Sequence, residues 1–271
     1  MAVDIVNIAG YRFVDLPDRD DLRAPFRYAC EEAGLLGTIL LSHEGINFFL
    51  SGNQSGIDQF LQFLETDQRF LDIPLKRSYS NHMSFRRMNV RLKDEIISLG
   101  LDSIRPAEST GATISPMEFK NWLDEGRDIV VLDTRNDYEV RLGAFESAMN
   151  LNLSSFRGFP DAVSNSEIEK NRTVVMYCTG GIRCEKASAV MMQQGWKDVR
   201  QLEGGILGYF EEVGGHHWNG DCFVFDRRVA VDPTLEETTA EVCWACREPL
   251  TEGEQESEQY VVGESCPYCI Q

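Results

Sequence analysis

The sequence predicts an α/β protein: an N-terminal α+β domain over residues 1–99, a linker over 100–112, a central domain with a mostly parallel sheet over 113–231, and a small cysteine-rich segment over 232–271. Three observations carry this division. The first hundred residues give apolar runs and helical spacings in the order strand, helix, strand pair, helix. The middle of the chain alternates short, fully apolar runs with amphipathic helical patterns, which is how a parallel sheet covered on both faces reads. Beyond Asp232 the chain turns polar and acidic and carries two C-x-x-C pairs.

Residues 3–14 (VDIVNIAGYRFV) read as a strand, and 18–33 place Leu22, Phe26, Ala29, Cys30 and Ala33 on one helical face, with Gly34 as the stop. Two apolar runs flank Ser42 to Gly45 as a strand pair. Ile57, Phe60, Leu61 and Leu64 then mark a second helix. A further β-rich piece from Tyr79 to Leu99 would complete a ferredoxin-like sandwich. The stretch GLDSIRPAESTGA has linker composition. Ser115 with Pro116 and Glu118 forms a capping signal for a helix ending near Gly126. Apolar strands follow at 128–132, running into Asp133-Thr134-Arg135, and at 173–177, running into Cys178.

Composition narrows the function classes. At 42% hydrophobic and 26% charged residues, without low-complexity tracts, the chain is an ordinary globular one, and no apolar run is long enough to span a bilayer. No membrane partner is expected. The N-terminus lacks an export signal, and eight cysteines without a secreted disulfide pattern fit a cytoplasmic protein. The net charge of −18 argues against a generally basic nucleic-acid coat. Half of that excess lies in residues 232–271, which hold ten acids and one arginine. One basic stretch stands out: Lys76, Arg77, Arg86, Arg87, Arg91 and Lys93, interleaved with Tyr79, His82 and Phe85 and free of acids. Cations for phosphates with aromatic faces for bases suit single-stranded RNA, although charges that blunt a sheet edge would look the same.

The segment YCTGGIRCEKA carries the chemistry. Cys178 stands at the carboxyl end of an apolar strand, where reactive groups of open α/β sheets collect. Thr179, Gly180, Gly181 and Ile182 can fold into a cradle of converging N–H groups, and the next helix aims its positive end at the same point. Together with Arg183, that environment favours a thiolate. Cys184 either resolves an oxidised Cys178 or packs under the helix. Cys30 and Cys222 read as core thiols.

The segments LDTRNDYE, YCTGGIRC and LEGGILGY resemble a rhodanese domain, whose loop cysteine carries a persulfide. Arg183 follows Cys178 by five positions, one fewer than in phosphatases of related architecture, and the shorter cradle suits a single sulfur better than a phosphoryl group. Asp133 and Arg135 are expected to brace the loop. The order SHEGIN, RRMNVRLKDEI, CTGGIRCEKAS, WNGDCFVFD and paired C-x-x-C resembles, over essentially the whole chain, the bacterial oxygen-dependent tRNA uridine(34) hydroxylase family. The resemblance implies hydroxylation of the wobble uridine to 5-hydroxyuridine, with Cys178 as the essential residue, molecular oxygen as co-substrate, the tRNA anticodon loop as partner and an electron donor that the sequence does not identify. It favours RNA as the ligand of the basic stretch.

The four histidines, His43, His82, His216 and His217, lack the two-histidine, one-carboxylate pattern of a non-haem iron site, so no catalytic metal is expected. Cys243-x2-Cys246, nineteen residues, then Cys266-x2-Cys269 has the spacing of a closed four-thiolate structural zinc site; two redox-active pairs are the alternative. Two other functions compete with the hydroxylase. A persulfide-carrying sulfurtransferase would use the same Cys178 but needs no basic N-terminal domain. A zinc-bearing interaction protein would have no use for the loop cysteine.

Overall fold

The computed structural model describes residues 5–270. In the N-terminal domain β1 (Ile5–Phe13), α1 (Arg19–Glu32), β2 (Leu36–Ser42), β3 (Gly45–Gly52), α2 (Gln54–Glu65), β4 (Leu75–Ser80) and β5 (Met88–Leu92) follow one another. The expected first strand matches β1, its positions 3 and 4 lying outside the described residues. The sheet order is β4-β1-β3-β2-β5, antiparallel except for the β2–β5 pair. This is the ferredoxin-like sandwich with a fifth strand added at one edge.

One detail differs from the sequence reading. The fourth strand begins at Leu75 rather than at Tyr79, and a separate fifth strand follows it. The segment Leu75–Ser80 is a half-exposed edge strand with little apolar periodicity, so its signal is weak. The helices α1 and α2 cover one face of the sheet, where Phe26, Phe48 and Phe60 are buried edge to face. Asn53 caps α2 by accepting from the Gly56 N–H at 2.7 Å.

The central domain runs β6 (Ala112–Ile114), α3 (Pro116–Asp124), β7 (Val130–Asp133), α4 (Asp137–Val140), β8 (Gly143–Phe145), β9 (Ala148–Asn150), α5 (Phe159–Ser164), β10 (Thr173–Tyr177), α6 (Ile182–Gln193), β11 (Asp198–Leu202) and α7 (Gly205–Val213). The five-stranded sheet β6-β11-β10-β7-β9 is parallel throughout. Strand β10 is central and buried on both faces, which accounts for its uninterrupted apolar run. As its sequence signals, Ser115 caps α3 by accepting from the Glu118 N–H. Leu99 and Ile104, between the two sheets, pack into the core beneath α5 and α6. Cys30 and Cys222 are fully buried among apolar neighbours, as read from the sequence.

Short strands β12 (Trp218–Gly220), β13 (Cys222–Phe223) and β14 (Ala230–Val231) lead into the tail, which holds β15 (Glu241–Val242), β16 (Pro249–Leu250) and the single turn α8 (Glu252–Gln255). Its small core is Leu250 with the cysteines. Among the described residues no helix is long and apolar enough to cross a membrane.

Candidate active site

Strand β10 ends at Tyr177 and delivers Cys178 to the edge where the two domains meet. The chain then folds back at once, because Gly181 adopts φ +98°, and enters α6. That turn aims the Gly181 N–H at the sulfur, 3.1 Å from Cys178 Sγ. A second glycine pair makes the opposite wall. The Ile206 N–H donates to the Cys178 carbonyl at 2.9 Å and the Leu207 N–H to that of Thr179 at 3.1 Å. This brings the start of α7 so near that a Cβ on Gly205, at φ +62°, would clash with the Cys178 carbonyl.

The electrostatics favour an anion at Cys178. Burial alone would raise its pKa, but the Cys184 thiol, the Arg183 charge and the N–H groups of Arg183 and Gly181 together lower it to about 6. Cys184 moves the other way, raised by burial and by the anion beside it. Cys184 is wholly buried, with its sulfur 3.8 Å from Thr134 Oγ1. Ile182 and Gly180 face the cleft above.

Arg183 does not point into open space. Its Nη1 and Nη2 donate to Glu139 Oε2 and Oε1, both at 2.6 Å, and Glu139 is fully buried. The same carboxylate accepts from the Asn136 N–H at 3.0 Å and from Thr179 Oγ1 at 3.4 Å. Asp133 and Arg135, the pair expected to brace the loop, instead hold each other. Arg135 Nη2 donates to Asp133 at 2.7 Å and to the Gly143 carbonyl at 2.6 Å, beneath Tyr177 and Trp218. The direct brace is therefore Glu139. Its sequence signal is the Asn136…Glu139 capping box of α4.

Above the loop lies a cleft of about 890 Å³ between the two domains. Cys178 is on its floor; Tyr11, Phe13, Phe49, Phe85 and Phe225 supply aromatic wall, and Lys76 and Lys93 are cations on the same surface. The rest of the basic stretch is dispersed. Because β4 and β5 are opposite edges of the sheet, Lys76, Arg77 and Tyr79 are separated from Arg91 by three strands. Arg77 lines a smaller apolar hollow, Tyr79 and Arg87 are exposed, and Arg86 lies over Trp244 of the tail at 5.9 Å.

The cleft has walls from two domains because charged and polar pairs pin those domains together. Lys186, 1% exposed, reaches Glu44 at 2.8 Å and Glu95 at 2.7 Å. Arg228 Nη1 donates to Ser78 Oγ at 2.7 Å, and Tyr11 donates to Glu185 Oε1 at 3.2 Å. None of Tyr11, Glu139, Glu185 and Lys186 stands out in the sequence as a site residue. His43, within SHEGIN, lies with Nδ1 3.2 Å from the Leu16 carbonyl and is outside the cleft.

In the tail, the Sγ atoms of Cys243, Cys246, Cys266 and Cys269 lie within 4.8 Å of one another, the only such cluster of metal-ligating groups among the described residues. Three of the separations are 3.5, 3.6 and 4.0 Å. Four thiolates at about 2.3 Å from a tetrahedral ion would stand roughly 3.8 Å apart, so these residues fit a metal such as zinc.

Comparison with known proteins follows the same division. Residues 5–96 match the UPF0176 acylphosphatase like domain and residues 115–212 the rhodanese-like domain. The chain is 52% identical over 274 residues to a protein of Cupriavidus necator named tRNA uridine(34) hydroxylase, covering 99% of this chain and 97% of that one. It is 44% identical over 271 residues to a protein of the same name from Picosynechococcus, covering 99% and 91%. A third, from Burkholderia cenocepacia, bears that name too and is 44% identical over 277 residues, covering 98% of each.

Proposed function

The chain belongs to the tRNA uridine(34) hydroxylase family, and from that premise we propose that it oxidises the wobble uridine of tRNA to 5-hydroxyuridine, in the cytoplasm, with molecular oxygen as co-substrate and Cys178 as nucleophile. The observation that supports this reading is the thiolate-favouring Cys178 on the floor of a cleft with aromatic walls and lysines. A base buried in a duplex or stack cannot reach such a floor. An unstacked anticodon base can enter and rest on the aromatic faces while cations hold its backbone.

Uracil is electrophilic at C6. Addition of the Cys178 sulfur there gives C5 the electron density of an enolate, able to take up oxygen. One oxygen atom stays on C5 and the other leaves as water, with two electrons from a donor outside the cleft. The loop N–H groups and Arg183 hold charge at the sulfur before and after it is bound to the base. We assign the tail cysteines to structural zinc: a site with four protein ligands has no open position for water, and its chemistry is to fold the segment.

The resemblance of the central domain to rhodanese keeps persulfide transfer as the competing reading. Undermodified tRNA incubated with the protein in air and without oxygen, digested and examined by nucleoside mass spectrometry, separates them. A single oxygen gained on uridine only in air supports the hydroxylase. Sulfur in the nucleoside, or thiosulfate consumed with tRNA unchanged, would replace it by a sulfurtransferase.

Two further outcomes follow. Lys76→Ala is expected to weaken tRNA binding for all sequences and lower the slope of log affinity against log salt by roughly 0.7, the loss of one phosphate contact to a single strand. Filter binding across a salt series reads it. Prolonged chelation is expected to remove most of the order of the tail, since structural zinc contributes on the order of 10 kcal/mol to such a segment. Hydrogen exchange should then rise in residues 241–270 and stay unchanged in β10.

A further inference from the structure

Hydroxylation through a C6 adduct leaves one task that neither Cys178 nor its cradle can perform. Once oxygen is on C5, that carbon still bears its original hydrogen, which must leave as a proton before the ring regains its double bond. Cys178 is then covalently bound to C6 and cannot be the base. Arg183 and Glu139 are engaged with each other below the loop. Three carboxylates line the cleft, those of Glu95, Glu185 and Glu203. Glu95 is held by Lys186 and by the N–H groups of Leu99 and Gly100, and Glu203 lies on the exposed side.

Glu185 is different. Among the described residues it has no cation within 4.0 Å; it accepts from the Tyr11 hydroxyl at 3.2 Å and from Gln201 Nε2 at 3.3 Å. Tyr11 comes from β1 of the other domain, and its hydroxyl would lie 3.1 Å from a Cβ on Gly181. Gly181 is the residue whose N–H holds the Cys178 sulfur. The phenol thus overlies the nucleophile's cradle with a carboxylate behind it. Burial, then the charge of Glu185, keeps the hydroxyl protonated.

We propose that Tyr11 and Glu185 form an interdomain proton-transfer dyad that removes the C5 proton from the cysteine-bound, hydroxylated base. The dyad rests on the hydroxylase reading and deepens it. Tyr11 oxygen takes the C5 proton as its own proton passes to Glu185; the C5–H electron pair becomes the C5–C6 double bond, and the C6–S pair returns to Cys178 as thiolate. No oxidant or reductant enters this step. The dyad also gives the N-terminal domain a part in the chemistry, since the base is complete only when both domains are docked.

The test is Tyr11→Phe, which keeps the ring against Phe13, with Glu185→Gln as the second variant. General acid–base catalysis contributes about a hundredfold or more, so kcat should fall by about that factor while KM for tRNA stays within about twofold. Two signatures separate proton removal from mere positioning. A denaturation-resistant tRNA adduct through Cys178 should accumulate in the variants, and tRNA carrying deuterium at C5 of uridine should turn over more slowly than the protiated form. Unchanged kcat, or lost turnover with neither adduct nor isotope effect, overturns the dyad. If the wild-type protein itself forms no hydroxyuridine, the hydroxylase reading has failed and the dyad falls with it; an active wild type beside unaffected variants removes the dyad alone.

Discussion

Cys178→Ser is expected to lower single-turnover hydroxylation by at least about a thousandfold while tRNA affinity stays within about twofold. The reason lies in the proton rather than in the geometry. Oxygen replaces sulfur in the same cradle, with the Gly181 N–H and Arg183 still in place, but a serine hydroxyl is held far from ionisation at neutral pH. The wild-type thiol, in contrast, ionises near 6, so at pH 7 most of it is already the nucleophile.

The sign of the pH dependence follows. The thiolate is the reactive form and its pKa is lowered, so reactivity is full above about pH 7 and falls about tenfold per unit below 6. Alkylation of the wild-type protein across pH reads this directly. A midpoint near 8.5, the value of a free thiol, would show that the cradle does not act on the sulfur. Turnover by Cys178→Ser at a rate near wild type would remove the covalent route altogether.

Much of this site is legible before any coordinates. The Gly180–Gly181 pair, the apolar run before Cys178 and the helical segment after it are all local, and each follows from backbone rules that operate within about ten residues. The paired C-x-x-C knuckles are local too, and the structure brings their sulfurs together. The misses have the opposite character. Tyr11 and Glu185 are separated by 174 positions, and Arg183 and Glu139 by 44. Arg183 is legible in its loop, but nothing local pairs it with Glu139; Tyr11 lies on an ordinary strand, and Glu185 sits in the first turn of a helix, where acids are common.

The basic stretch shows the reverse relation between sequence and space. Residues 76–93 are contiguous in sequence, but two strands that bound them lie at opposite edges of the sheet, so adjacency along the chain did not become a single basic strip. Only Lys76, Phe85 and Lys93 of that stretch reach the cleft.

Glu139→Gln is expected to cost about 3–5 kcal/mol of stability, because it removes the anion from a buried ion pair and leaves the cation in place. Glu139 accepts four hydrogen bonds: two from Arg183, one from the Asn136 N–H and one from Thr179. An amide offers one oxygen to these four donors and turns its own N–H groups toward the others. The midpoint of urea unfolding should fall, with the slope unchanged if the denatured state is unaffected.

At the active site, ionisation and turnover are expected to move in opposite directions. Without Glu139, the Arg183 charge is no longer neutralised on its far side and acts more strongly on Cys178, so in the folded fraction the thiol should ionise below about 6. A thiolate of lower pKa is also a poorer nucleophile, so turnover should fall even though more of the sulfur is ionised. Alkylation midpoint and urea midpoint, measured on the same protein, test the two effects separately. An unchanged urea midpoint would show that Glu139 does not hold the loop. An alkylation midpoint displaced upward would mean that Arg183 leaves the sulfur when its partner is lost, and that the carboxylate serves to aim the cation rather than to temper it.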